Sequence, residues 1–161
     1  MKKIYNFLLI IFANFILLSS AESATFYVNS VTGSNGNSPS QATNIETPWQ
    51  SVQHAIDNAS VTDGDNIVVA AGTYSGFNLT KRLNIIGAWK GSNPALNTVF
   101  NSIVTLNAPG GSSSQRMVLK NLRVSVTSGD AIDMRHSYVT LENVFASATT
   151  KFVAPETAKA F

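Results

Sequence analysis

Cysteine is absent from all 161 residues. That excludes disulfides, thiolate metal sites, a cysteine nucleophile and lipid attachment through a cysteine. Charge is scarce too: Asp, Glu, Lys and Arg make up 12% of the chain, against about 25% in an ordinary soluble domain. The formal net charge is +2, and Lys2 and Lys3 lie in a leading segment of separate character, so the remainder is close to neutral. A pI near 9.0 therefore does not indicate nucleic acid, because no Lys/Arg stripe interleaved with aromatics exists. Long apolar runs are confined to residues 4–18.

That run belongs to a targeting signal. Lys2 and Lys3 make a basic start, the apolar run is interrupted only by Asn6 and Asn14, and residues 19–24 supply small side chains for cleavage. Cuts after Ala21 or Ser23 fit a small-x-small rule. The run is shorter than the ~20 residues of a membrane-spanning helix. Residues 1–24 are therefore expected to be removed, leaving no transmembrane span. The mature chain is expected to be secreted or held in the cell envelope.

The rest is long enough for one domain, residues 25–161, read as a cap over 25–65, coils over 66–150 and a tail over 151–161. Short apolar pieces rich in Ile, Val and Leu recur through it, each bounded by Gly, Ser, Thr or Asn. Residues 64–88 show the pattern best: Ile67-Val68-Val69-Ala70, a Gly72 corner, Phe77-Asn78-Leu79, then Leu83-Asn84-Ile85-Ile86 closing at Gly87. Such pieces read as strands, since β-branched residues fit a pleated surface and Gly supplies corners. No two-residue Asn-Gly or Asp-Gly link joins them as hairpins. A chain that keeps turning without reversing winds into parallel strands.

Ahead of these strands, residues 29–47 read as a solvated loop. Their oxygen-rich turns resemble a Ca²⁺ loop only in composition, since Glu46 is their one carboxylate. Thr47 and Pro48 then suit an N-cap and a first helical position. Trp49, Val52, Ala55, Ile56 and Ala59 follow at helical spacing as one apolar stripe. The spacing predicts a helix that covers the open edge of the coil beginning at Asn66, with His54 on its surface rather than acting as a base.

An internal repeat offsets by 22 residues: Val118-Leu119-Lys120-Asn121-Leu122 matches Thr140-Leu141-Glu142-Asn143-Val144. It predicts Leu119 against Leu141, Leu122 against Val144, Lys120 paired with Glu142, and an asparagine ladder of Asn121 and Asn143. Leu83-Asn84-Ile85 reads as an earlier copy. The length from Asn66 to Thr150 allows roughly four coils of this period. The tail reads as a chain stopping in mid-loop rather than as a finished cap, which leaves a strand edge free for end-to-end self-association.

Taken together, residues 49–59, Gly64-Asp65, Ala71-Gly72-Thr73-Tyr74 and Leu83-Asn84-Ile85-Ile86-Gly87 resemble the start of a protein of the pectin-lyase-like superfamily. The similarity covers about residues 25–145. It implies an all-β fold, a right-handed single-stranded parallel β-helix with an N-terminal capping α-helix. It also implies a polysaccharide or cell-surface glycan as partner. Lyases of this fold use Lys or Arg as base with Ca²⁺ on acidic residues, and esterases of this fold use two aspartates and an arginine. Both schemes need carboxylates and a base on one face. The esterases' Gly-x-Tyr-x-Glu motif has a near match at residues 72–76, but Gly76 stands where the Glu would be. No catalytic residue is carried across, no cofactor is expected from the residues themselves, and Ca²⁺ enters by resemblance alone.

The one candidate constellation is residues 129–136, GDAIDMRH. Strand alternation puts Ile132 and Met134 inward and Asp133 and Arg135 outward, about 6–7 Å apart. The pair suits a grip on a sugar carboxylate or hydroxyl. Three readings follow: a polysaccharide-binding or polysaccharide-cleaving protein, in which this chain is an N-terminal portion; a non-catalytic adhesin-like solenoid; and a truncated, inactive product.

Overall fold

The computed structural model describes residues 22–93, 96–135 and 138–148. The expected signal lies outside them up to position 21, and so does the whole of the tail over 151–161. Within the described residues the fold is predominantly β, with all strand–strand pairing parallel and two short helices. Ten strands run in order: β1 (Thr25–Val28), β2 (Asn66–Val69), β3 (Gly72–Tyr74), β4 (Asn78–Leu79), β5 (Asn84–Ile86), β6 (Thr98–Phe100), β7 (Val104–Leu106), β8 (Met117–Val126), β9 (Ile132–Met134) and β10 (Val139–Ala148). The helices α1 (Pro39–Ala42) and α2 (Val52–Asp57) fall between β1 and β2.

The pairing makes three stacks. The first is β1, β2, β5 and the first half of β8. The second is β3, β6 and the second half of β8, and the third is β4, β7 and β9. Strand β8 belongs to two stacks because it bends at Asn121, whose φ is 56°. A left-handed backbone costs most residues about 1–2 kcal/mol, and asparagine tolerates it best after glycine. The bend resets the alternation: Met117 and Leu119 are buried before it, Leu122, Val124 and Val126 after it. Strand β10 repeats the device at Asn143, with φ 51°. The expected register between them is present, with Leu141 against Leu119, Val144 against Leu122 and Asn143 Nδ2 donating to Asn121 Oδ1 at 3.0 Å. Asn84, by contrast, pairs with Val118 and donates to Asn66 Oδ1 at 2.9 Å, so it belongs to a second ladder rather than to that of Asn121.

Because partner strands are level, inward side chains stack on their own kind. Phe26, Ile67, Ile85, Leu119 and Leu141 form one such column by register. The first four are buried, but Leu141 is 44% exposed. Leu79, Leu106 and Met134 form another, in which Met134 is 58% exposed. Met134 was expected in the core. It points along the core column, but no described strand lies over it.

The opposite end is closed. Trp49 forms a parallel bridge with Val28, its N–H donates to Tyr27 O at 2.9 Å and its carbonyl accepts from Asn29 N at 2.8 Å. Its ring is fully buried and stacks on Phe26 at 5.3 Å. This use of the Trp49 backbone corrects the expected helix start. Thr47 does not cap it; its hydroxyl donates to Gln41 O at 2.7 Å. The helix begins at Val52, with the Ser51 hydroxyl accepting from His54 N. Val52, Ala55 and Ile56 face the core as the stripe implied. Gln53 acts as a one-residue strand for the edge of β4: its Oε1 accepts from Asn78 N at 2.8 Å and its Nε2 approaches Asn78 O at 3.5 Å. The loop expected over 29–47 also contains α1, started by a Ser38–Gln41 capping box.

The bend at Asn121 yields a stability test. Asn121→Ala should cost about 1–2 kcal/mol in chemical denaturation, because alanine pays the left-handed strain. Asn121→Gly removes the same ladder bond without that strain, so it should cost less. A larger loss for glycine than for alanine would mean the backbone at 121 is not left-handed.

Candidate ligand-binding cleft

Asp133 lies on β9, level with Thr105 of β7, and Arg135 follows the strand with its N–H on Leu106 O at 3.0 Å. Both side chains lie on the outer face, as the alternation implied. They meet each other, Arg135 Nε donating to Asp133 Oδ2 at 2.8 Å, with the arginine 59% and the aspartate 30% exposed. The expected Lys120–Glu142 pair also forms, at 2.7 Å between level strands. His136 lies outside the described residues.

A polar recess lies elsewhere, on the outer side of the first stack. The turn at Asp63 and Gly64 forms one wall, the segment Ser114 to Arg116 the other, and Asn84 of β5 and Val118 of β8 the floor. The cleft measures about 430 Å³. Two arginines enter it. Arg82 is braced by Asp63, which takes a close ion pair from Nη2 and a 2.8 Å hydrogen bond from the Arg82 backbone N–H. Its Nη1 donates to Pro109 O at 2.6 Å. Arg116 is braced by backbone carbonyls, with Nε donating to Ser113 O at 3.0 Å and Nη1 to Val139 O at 3.4 Å. Asn84 Nδ2 is held by Asn66 Oδ1 and Gly64 O.

Register explains why the arginines meet. Asn84 is level with Val118, and Arg82 and Arg116 each stand two residues before that pair at the rim of the same cleft, each preceding a buried core residue, Leu83 or Met117. The 22-residue repeat does not expose this pair, because the chain between β5 and β8 carries extra residues at 88–97 and 107–116. The readable signal was the shared pattern of an arginine before an inward apolar residue.

Three of the described carboxylates are ion-paired. Asp63, Asp133 and Glu142 each face an arginine or lysine. Asp65, buried, accepts from Ala24 N and Thr62 N, which ties the start of β1 to the turn before β2. Among the described residues no three or more His, Asp or Glu come together to hold a metal ion. The donor set therefore does not fit the acidic Ca²⁺ cluster that the resemblance implied. A second recess, of about 250 Å³, lies beside Tyr74, Ser30 and Gln53. There the Tyr74 hydroxyl donates to Ala70 O at 3.0 Å and accepts from Ser30 N at 3.3 Å. Burial pushes the phenol above its ordinary value, so it stays a neutral structural donor.

Compared with protein-family models, with curated proteins and with solved structures, the chain matches none. No helix among the described residues is long and apolar enough to cross a membrane.

The exposed Asp133–Arg135 pair should contribute little to folding, since such pairs are worth about 0–1 kcal/mol. The double alanine variant should melt within about 4 °C of the parent, in keeping with roughly 2–4 °C per kcal/mol for a chain near 150 residues. A markedly larger drop would assign the pair to the framework and remove it as a ligand contact.

Proposed function

We propose that the chain is an exported, right-handed parallel β-helix of the pectin-lyase-like kind that binds an acidic polysaccharide on its outer face. The observation that carries this reading is the cleft lined by Arg82 and Arg116, which precede successive strands of one stack. Guanidinium groups match carboxylates in plane and spacing; carbonyls orient Arg116 in advance, and Asp63 with Pro109 O holds Arg82 in place. Amides and hydroxyls from Asn84, Ser114 and Gln115 suit the hydroxyls of a sugar ring. Handedness follows from the strong preference of parallel strand connections for the right-handed sense. The basic, apolar and small-residue order of residues 1–24 supports export.

Binding is favoured over turnover. Lyase and esterase schemes both need carboxylates left available beside a base, whereas Asp63, Asp133 and Glu142 are each matched to a cation. This is the adhesin-like alternative, with a glycan as the partner presented to the stacked face. The cleft is also favoured over Asp133 and Arg135 as the contact, because those two neutralise each other, whereas Arg116 beside the Arg82–Asp63 pair has no carboxylate partner among the described residues.

The test is binding to polygalacturonate and to a neutral glucan at fixed ionic strength. The protein should prefer the polyuronate, and Arg82→Gln with Arg116→Gln should weaken binding tenfold or more. Loss of one charge-assisted hydrogen bond is worth about 1.5–3 kcal/mol. The Asp133→Ala, Arg135→Ala variant should bind as the parent does. Equal binding of the neutral glucan, or full affinity without the two arginines, would refute the proposal. Loss of binding only in the Asp133, Arg135 variant would move the site to β9.

A further inference from the structure

We infer that β10 pairs with β10 of a second copy, closing the open end of the strand stacks as a two-fold, head-to-head dimer. This does not rest on the glycan reading. The apolar columns run out at β10 and β9, where Leu141 and Met134 stand open and Phe145 is 50% exposed with the Arg123 guanidinium 4.7 Å from its ring. The ladders run out there as well. Asn143 and Ser147 donate to Asn121 and Ser125 on one side, and on the other side no described residue meets them. Among the described residues nothing covers the ten-residue edge of β10 or its apolar side, a surface that templates pairing.

The identity of the occupant follows from two further features. First, the far end of the molecule is closed by Trp49, α2 and Gln53. A second copy added head to tail would meet Trp49, α2 and Gln53 rather than a ten-residue strand edge, so the contact that fits is the same surface on both partners, which closes at two. Second, the sequence of β10 is suited to pairing with itself in reverse. Its inward residues Val139 and Leu141 precede the bend, and Val144 and Ala146 follow it. Set antiparallel about the middle of the bend, Leu141 faces Val144 of the copy and Val139 faces Ala146. Inward residues then meet inward residues, and outward Thr140 meets outward Phe145. Glu142 is the one charged residue of β10 and already pairs with Lys120. In this register it faces Asn143 rather than a second Glu142, so no like charges oppose.

Sedimentation velocity over a concentration series tests the inference on the purified protein. A monomer–dimer equilibrium with no larger species is expected. Leu141→Lys should weaken the dimer at least tenfold while leaving the circular dichroism spectrum unchanged. Ala146→Lys, at an exposed position of low folding risk, should do the same. A monomer at every concentration would overturn the inference and assign the cover of β10 to residues beyond Ala148. A ladder of growing oligomers, or a dimer indifferent to both lysines, would overturn it equally.

Discussion

Parallel hydrogen bonds that hold Ile67 level with Ile85, and Ile85 level with Leu119, constrain nearly everything else in this chain. Level strands about 4.8 Å apart force each inward side chain to sit on its counterpart from the previous passage. A polar side chain in such a column would be buried from both sides without a partner. Corners must also recur at the same place on each passage. At the corner shared by the first two stacks the fit is tight: a Cβ on Gly87 would lie 2.5 Å from Asn121 O. Glycine there makes room for the neighbouring backbone, while asparagines at 121 and 143 on the next two passages take the left-handed bend.

Register of this kind frees the outer face. Inward positions are committed to apolar residues, but loops between strands differ in length without disturbing the stacks. The extra residues before β8 bring Arg116 to the cleft beside Arg82 and raise a wall there. The same geometry leaves the two ends unequal. One is sealed by an indole, a short helix and a glutamine acting as a strand, while the other exposes Leu141, Met134 and Phe145.

Much of the fold was legible where the repeat was undisturbed. Val118 to Val124 and Thr140 to Ala146 carry the same pattern without insertion, so their pairing, their asparagine ladder and the Lys120–Glu142 contact could all be read from spacing. Trp49 was misread because its helical spacing from Val52 and Ile56 looks like one stripe. Spacing does not reveal that its backbone is needed to cover the edge of β1. Met134 was misplaced for another reason: alternation gives the direction of a side chain but not whether anything lies above it. The cleft was missed because Arg82 and Arg116 become neighbours only through the register of β5 on β8. The Asp133–Arg135 pair was placed correctly on the outer face, yet sequence does not show that two outward charges satisfy each other.

The level register is the central claim, and the absence of cysteine makes it directly measurable. Val118→Cys with Thr140→Cys puts two thiols on level neighbours of β8 and β10. Val118→Cys with Glu142→Cys puts them one step out of register, about 8 Å apart by strand geometry. Treated with a short bifunctional thiol reagent, the first pair should cross-link within one chain and the second should not. Cross-linking of both pairs alike, or of the second alone, would contradict the stacked register on which the account stands.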